Sequence, residues 1–209
     1  TSEPGKKNLI VTVRENEPGL GEVGLGGLYE DPLFRLRAFG GVAYRNVMGL
    51  NHTVSTRGEL ALPISKDKFI PFVEYGALVG YRAPYFLNLP LIFTAQVGLD
   101  SFQVSAVGPK IQTRARIEGK IEGKLTPHLT LFYRLYRIER ATIEELDKKN
   151  PQTESIGSTG PGFILDYRDD IFNPTRGSYH TLDFELSHPA LLSSANIGYV
   201  MTIARNSFY

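Results

Sequence analysis

Ile111-Gln112-Thr113-Arg114-Ala115-Arg116-Ile117-Glu118-Gly119-Lys120-Ile121-Glu122-Gly123-Lys124-Leu125 is the stretch whose pattern decides the fold. Its odd positions, from Ile111 through Ile117 and Ile121 to Leu125, are apolar or small. Its even positions carry Gln112, Arg114, Arg116, Glu118, Lys120, Glu122 and Lys124. A helix, turning once in about 3.6 residues, would spread those charges around its whole circumference, whereas a strand sends successive side chains to opposite faces. The stretch is therefore a long strand with one dry face and one wet face.

The same alternation recurs along the chain. Phe34 to Tyr44 sets Phe34, Leu36, Ala38, Gly40, Val42 and Tyr44 against Arg35 and Arg37, and His52 to Leu62 sets Val54, Leu60 and Leu62 against Ser55, Arg57 and Glu59. Leu129, Leu131, Tyr133 and Leu135 oppose Thr130 and Arg134; His180, Leu182, Phe184 and Leu186 oppose Thr181, Asp183 and Glu185. Ile197, Tyr199, Met201 and Ile203 form an apolar row against Gly198, Thr202 and Ala204. Weaker strands fit Glu22 to Tyr29, Ile70 to Tyr81, Leu91 to Phe102 and Gly162 to Arg168. The pattern predicts about ten strands, each about ten residues or longer. Apolar side chains on one face and Arg, Lys, Glu and Gln on the other are the signature of a transmembrane antiparallel β-barrel, apolar toward lipid and polar toward a wet lumen. Aromatic residues near strand ends, Tyr44, Tyr81, Tyr85, Phe86, Tyr133 and Tyr136, suit interfacial girdles, although no Trp is present. The competing arrangement is a large soluble barrel, wet outside and dry within. Its strands are usually shorter and its charged faces fewer.

Composition narrows the choice. With 209 residues, 42% hydrophobic, and 23 basic against 22 acidic side chains, the chain is neither a disordered polar segment nor a strongly basic nucleic-acid binder. The absence of cysteine removes disulfide scaffolds, thiolate metal sites and cysteine nucleophiles. His52, His128, His180 and His188 show no metal-ligand spacing, so neither a metal nor a cofactor is expected. Apolar runs fall far short of the roughly 20 residues of a membrane-spanning helix. Any crossing must be made by strands.

Connection lengths suggest an orientation. Arg45 to Asn51, Ala83 to Pro90, Leu125 to Pro127 and Phe172 to Gly177 are compact, while Thr142 to Ser158 is long and polar. In outer-membrane barrels the short turns are periplasmic and the long loops extracellular. Thr142 to Ser158 is accordingly expected to be an external, mobile loop. Asn173-Pro174-Thr175-Arg176-Gly177 has turn chemistry: Asn opens it, Pro presets φ, and Gly accepts a positive φ.

Three segments carry a family resemblance. Asp166-Tyr167-Arg168-Asp169-Asp170, followed by Asn173-Pro174-Thr175-Arg176-Gly177 and an amphipathic strand, resembles a periplasmic hairpin of the BamA and TamA assembly factors of the bacterial outer membrane. Asn8-Leu9-Ile10-Val11-Thr12-Val13-Arg14-Glu15, then Pro18-Gly19, resembles the last strand of a periplasmic POTRA domain entering the barrel. Arg45-Asn46-Val47-Met48-Gly49-Leu50-Asn51 resembles the family's turn between its second and third barrel strands. The resemblance runs from about residue 8 to the end, in family order. It implies that residues 1–19 close a POTRA domain and its linker, and that residues 20–209 supply about ten of about sixteen barrel strands. No family-type Arg-Gly-Phe loop is found, and an open sheet would bare its edges at membrane depth. The missing wall is expected from a longer polypeptide, or else from another chain.

The resemblance further implies a protein that inserts β-barrel proteins into the outer membrane, with unfolded outer-membrane proteins as substrates. Its partners would be the lipid bilayer and periplasmic lipoprotein or inner-membrane assembly factors. The expected lateral gate is Val23, Gly24, Leu25, Gly26, Gly27 and Leu28, where three glycines weaken the strand and its free edge can template an incoming one. The same glycines also suit simple relief of crowding at a kink. Arg114, Arg116, Glu118, Lys120 and Glu122 either bind a returning loop and line a conduit, or merely keep the wet face solvated. Asp166, Arg168 and Asp169 beside Arg176 suit a salt-bridged corner, which is architecture, since exposed pairs contribute at most about 1 kcal/mol. A two-partner-type secretion pore or a general porin is the alternative function. An enzyme is not expected: Ser187 and His188 are adjacent on a strand, point to opposite faces and cannot pair as nucleophile and base beside Asp183 or Glu185.

Overall fold

The structure is a computed structural model and describes residues 17–30, 33–65, 72–103, 110–144 and 152–209. The segment likened to a POTRA strand, Asn8 to Glu15, lies outside the described residues. Ten strands follow in chain order: β1 (Gly19–Glu30), β2 (Leu33–Val47), β3 (His52–Ser65), β4 (Glu74–Pro84), β5 (Leu91–Gln103), β6 (Lys110–Lys124), β7 (Leu129–Glu144), β8 (Gln152–Asp166), β9 (Ser178–Ser187) and β10 (Tyr199–Phe208). All pair antiparallel with their sequence neighbours in one open sheet, leaving β1 and β10 at its two edges. The fold is thus all-β, as the alternation predicts.

Register keeps the two faces chemically apart. On one face Val97 lies opposite Ile117, and Phe93 opposite Ile121, itself opposite Tyr133; on the other Asp100 lies opposite Arg114 and Lys120 opposite Arg134. Among the described residues the buried apolar side chains are small, Ala61, Pro63 and Ala83, while Val42, Val79, Val97, Ile117 and Leu135 stand exposed on the apolar face. A soluble barrel of this size would need a dry interior. Here the apolar face stands exposed and the strands span 10 to 16 residues, a pattern that suits a transmembrane barrel wall.

Four turns share one end of the sheet: β2–β3, β4–β5, β6–β7 and β8–β9. Gly19 pairs with Tyr44 and Phe208 with Ser178, so β1 begins and β10 ends at that rim too. The β2–β3 turn is built on left-handed residues, Asn46, Met48, Gly49 and Asn51, and Asn46 Oδ1 accepts the Asn51 N–H at 2.9 Å. Asn46 also forms the bulge at which the β2–β3 register shifts.

Three expectations are corrected. The segment Thr142 to Ser158 is mostly ladder, because β7 runs to Glu144 and β8 starts at Gln152; only 145–151 lie between, outside the described residues. The face assigned to β10 is reversed. Met201 lies opposite Glu185 and Ile203 opposite Asp183, so Tyr199, Met201 and Ile203 share the polar face with the β9 carboxylates. Pairing with β9 sets the phase, and β10 has apolar residues on both sides. Finally, Tyr136 belongs to no girdle: it faces the polar side, opposite Ser158.

Candidate functional site at the free edge and on the polar wall

The strand singled out as a gate lies at the free edge. Val23, Leu25 and Gly27 share the apolar face, with Val23 90% and Leu25 84% exposed; Gly24, Gly26 and Leu28 share the polar face with Arg37 and Arg35. Two of its glycines are covered by β2 aromatics. A Cβ on Gly24 would stand 2.3 Å from the Phe39 ring, and one on Gly27 2.8 Å from the Phe34 ring. Aromatic side chains laid over strand glycines restore packing that glycine itself lacks. Gly19, Gly21 and Gly26 have open space where a side chain would stand. The stretch from Val23 to Leu28 is therefore held by backbone pairing and two ring contacts, with little side-chain interlock. The tie from the polar face of β1 is exposed: Glu22 accepts from Arg57 at 3.1 Å, and Arg57 lies over the Phe39 ring at 4.4 Å.

The five β6 charges singled out from the sequence, Arg114, Arg116, Glu118, Lys120 and Glu122, all lie on the polar face. Arg114 donates to Asp100 at 2.8 Å and covers the Phe102 ring at 4.4 Å. Arg116 lies across Gly98, whose missing Cβ would be 2.8 Å from its Nε. Lys120 pairs along its own strand with Glu122 at 2.6 Å, and Glu118 lines a recess of ≈ 360 Å³ with Lys120, Phe132, Arg134, Asp183 and Arg205. These groups form a ladder with neighbouring strands, and no shared centre gathers all five.

The sequence did not reveal the tighter cluster beside them. Arg134 of β7 reaches across β8 and donates to both carboxylate oxygens of Asp183 on β9, at 3.1 and 2.9 Å, with Glu185 at 3.6 Å. The Tyr136 and Tyr199 hydroxyls both donate to Glu185 Oε1, which joins β7, β9 and β10. The crossing needs a gap, and β8 supplies it with Gly160 opposite Arg134 and Gly162 under the Phe132 ring. A second strand-skipping tie has the same form: Arg35 of β2 donates to Glu74 of β4 at 2.9 Å across Pro63 of β3, and Glu74 accepts the Gln103 N–H of β5 at 2.9 Å. Glycines at 160 and 162 between bulky neighbours were the available sequence signal.

The segment from Asp166 to Gly177 is a self-contained corner. Arg168 donates to both Asp166 carboxylate oxygens, at 2.8 and 2.7 Å, and lies over the Tyr179 ring. This pairing raises the Arg168 pKa further above its already basic range. Asp169 takes the Thr175 hydroxyl at 2.6 Å and the N–H groups of Thr175, Arg176 and Asp170. The Thr175 hydroxyl bond, with those N–H groups, holds its carboxyl far below the ordinary range. Asp170 Oδ1 accepts from Phe172 and Asn173. Gly177 has φ +106°, and a Cβ there would meet the Tyr167 carbonyl oxygen at 2.0 Å, so glycine is required. The Asp169–Arg176 contact is made through the backbone N–H, and the salt bridge of the corner is Asp166–Arg168. Pro174 bridges the two halves with no N–H to satisfy.

Ser187 and His188 are engaged separately. The Ser187 hydroxyl, 1% exposed, donates to the Gly157 carbonyl at 3.0 Å and contacts Ser193, while His188 Nδ1 accepts the Ala190 N–H. Leu192, Ser193 and Ser194 fold back along β8: Ser194 N–H donates to Ser155 O, and Gly157 N–H to Ser193 Oγ. This strap satisfies the part of β8 that the shorter β9 does not reach.

No family model matches the sequence, and no curated protein matches it. Among solved structures the chain is similar to BamA from Haemophilus ducreyi lacking POTRA domains 1–3, with TM-score 0.64 and 13% identity over 84% of this chain. The chain spans 35% of the length of that neighbour. The likeness is one of fold: a ten-stranded antiparallel wall of a BamA-like barrel.

Proposed function

We propose that this chain is the first part of an outer-membrane insertase barrel, in which β1 is a lateral seam that templates incoming β-strands. The observation that carries the reading is the state of β1. It is an edge strand, rich in glycine, apolar toward lipid and held by β2 with little side-chain interlock. Exposed strand edges bind extended chains by exchanging hydrogen bonds one for one, so no nucleotide or covalent step is required. Unfolded outer-membrane proteins are the substrates in this reading, and the remaining strands come from the same or another chain. The rim that holds four turns and the start of β1 is periplasmic, facing POTRA domains and lipoprotein or inner-membrane assembly partners. The protein is no enzyme in this reading; the engagement of Ser187 with backbone and of Asp183 and Glu185 with Arg134 supports that.

Cysteines placed singly at Val23, Leu25 and Leu28 should crosslink to a stalled substrate strand, while cysteines at Ile117 and Ile121 of β6 should not. Equal crosslinking from β6 would remove the seam. A secretion pore of the same architecture is the second reading, favoured by luminal cations without ion-pair partners among the described residues, such as Arg116 and Arg205. It would show steady large conductance in planar bilayers and no β1 crosslinks.

A further inference from the structure

The β4–β5 link, Tyr85-Phe86-Leu87-Asn88-Leu89-Pro90, is apolar at every position but one. It is a short 3-10 turn, Phe86–Asn88, and three of its residues are left-handed: Tyr85 (φ 62°), Leu87 (φ 55°) and Asn88 (φ 61°). Glycine and asparagine suit such positions, whereas tyrosine and leucine are strained there. The strain places Tyr85 and Leu87 outward, 67% and 74% exposed, with Leu89 50% exposed. A turn facing water has no reason to hold large apolar side chains in an unfavourable backbone.

The link is continuous with the lipid-facing surface. Phe86 stacks on Phe93 with ring centroids 4.9 Å apart, and Phe93 meets Tyr81 edge-on at 6.4 Å. Phe93 lies on the apolar face, opposite Ile121. Part of the backbone is satisfied locally. Asn88 N–H donates to Tyr85 O, Leu89 N–H to Phe86 O and Leu91 N–H to Leu89 O, and Pro90 has no N–H.

We propose that this link is a membrane foot: Tyr85, Leu87 and Leu89 sit in the headgroup and acyl boundary of the phospholipid leaflet at the turn-bearing rim. The occupant is lipid, because the link is anchored on the lipid-facing side of the wall through Phe86 and Phe93. The foot rests on the reading of the apolar face as lipid-facing, and it fixes how deep the wall sits. Aromatic and leucine side chains at that boundary are typical of segments lying in the interface.

The chain has no tryptophan, so a single one is a clean reporter. Leu87→Trp, Leu89→Trp and, on the mid-wall, Val97→Trp would be introduced singly into the intact protein. Each variant would be reconstituted into phosphatidylcholine–phosphatidylglycerol vesicles, with the parent protein as blank and bromine placed either high on the acyl chain or near its end. Tryptophan at 87 and 89 should be quenched at least about twofold more by the high bromines, as expected for side chains about 5–10 Å into the boundary, and Val97→Trp more by the deep ones. If Val97→Trp is quenched while 87 and 89 both emit as in water, the foot is refuted and the lipid-facing wall stands. Such a result would also be the outcome if the link docks a protein. If none is quenched, the lipid-facing reading fails and the foot with it. Leu89→Trp, in extended backbone, keeps the test alive should Leu87→Trp fail to fold.

Discussion

Substituting Gly160 by alanine tests the packing of β8 most directly. A methyl carbon there would stand 1.7 Å from the Phe184 carbonyl oxygen and 2.6 Å from its carbon. Both obstacles are backbone, so no rotamer change relieves them, and β8 and β9 must part by well over an ångström. The strands approach so closely because Pro161, facing β9, has no N–H to offer, and the described pairing skips from Thr159–Leu186 to Gly162–Asp183. Ladder bonds of about 2.7–3.2 Å do not survive such a separation. Losing about two of them costs about 2 kcal/mol, and forced overpacking adds about 1–3 kcal/mol. Alanine recovers about 0.5–1 kcal/mol of strand entropy. The net expected loss is about 3 kcal/mol, with Arg134 pushed off its path to Asp183. Gly58→Ala is the matched control, since nothing lies within 4 Å of its Cβ position, and it should be neutral or slightly stabilising. Guanidinium unfolding of the refolded protein, followed by far-ultraviolet circular dichroism, compares the two. Equal midpoints for Gly160→Ala and Gly58→Ala would refute the reasoning.

Arg134→Met should lower stability by about 2–4 kcal/mol because it strands the buried Glu185 and half-buried Asp183 charges; adding Asp183→Asn and Glu185→Gln should restore more than half of the loss in the same unfolding assay. The Asp169 carboxyl is depressed in the folded corner, so its contribution is complete above the ordinary aspartate pKa of about 3.9 and disappears as pH falls below it. Proteolysis of the 169–177 turn should therefore accelerate on acidification in the wild type, and Asp169→Asn should be fast at both pH values. Ser193→Val removes the acceptor of the Gly157 N–H and should speed amide exchange at Gly157 while leaving Leu165 unchanged; unaltered exchange at Gly157 would show that the strap does not hold β8.

Strand existence and facing were readable where one face of the wall is apolar and the other charged. The β6 alternation and the faces of β2, β3, β7 and β9 came directly from that contrast. Where the contrast ends, the reading failed. Beyond Leu135 the apolar-side positions of β7 become Arg137 and Glu139, ion-paired along the strand at 2.5 Å, and those of β8 become Ser155 and Thr153. Both faces there suit water, so period two disappears from the sequence although the hydrogen-bonded ladder continues. On β10, apolar residues on both sides left the phase to be decided by pairing with β9. The Arg134–Asp183 and Tyr136–Glu185 contacts depend on which strand lies two places away, and residue types alone do not encode that. The turn at 173–177 was legible because its chemistry is local: Gly177 adopts the positive φ that its position asks for.

The strand-skipping ties give the wall a mechanical character that its sequential topology lacks. In a plain meander, a pull on either end peels one strand at a time, since each is bonded only to its sequence neighbours. Arg134 and Asp183 clamp β7 to β9 over β8, and Arg35 and Glu74 clamp β2 to β4 over β3. Under load from the β10 side, β9 cannot leave without breaking the Arg134 clamp, so the wall resists at β9 more strongly than its ten residues of pairing suggest. Load from the β1 side meets first the Glu22–Arg57 tie from β1 to β3 over β2, an exposed pair that water and salt screen more than the half-buried Arg134–Asp183 pair. β1, held by the most exposed of the three clamps, therefore yields first, while the half-buried clamps keep the wall beyond it riveted.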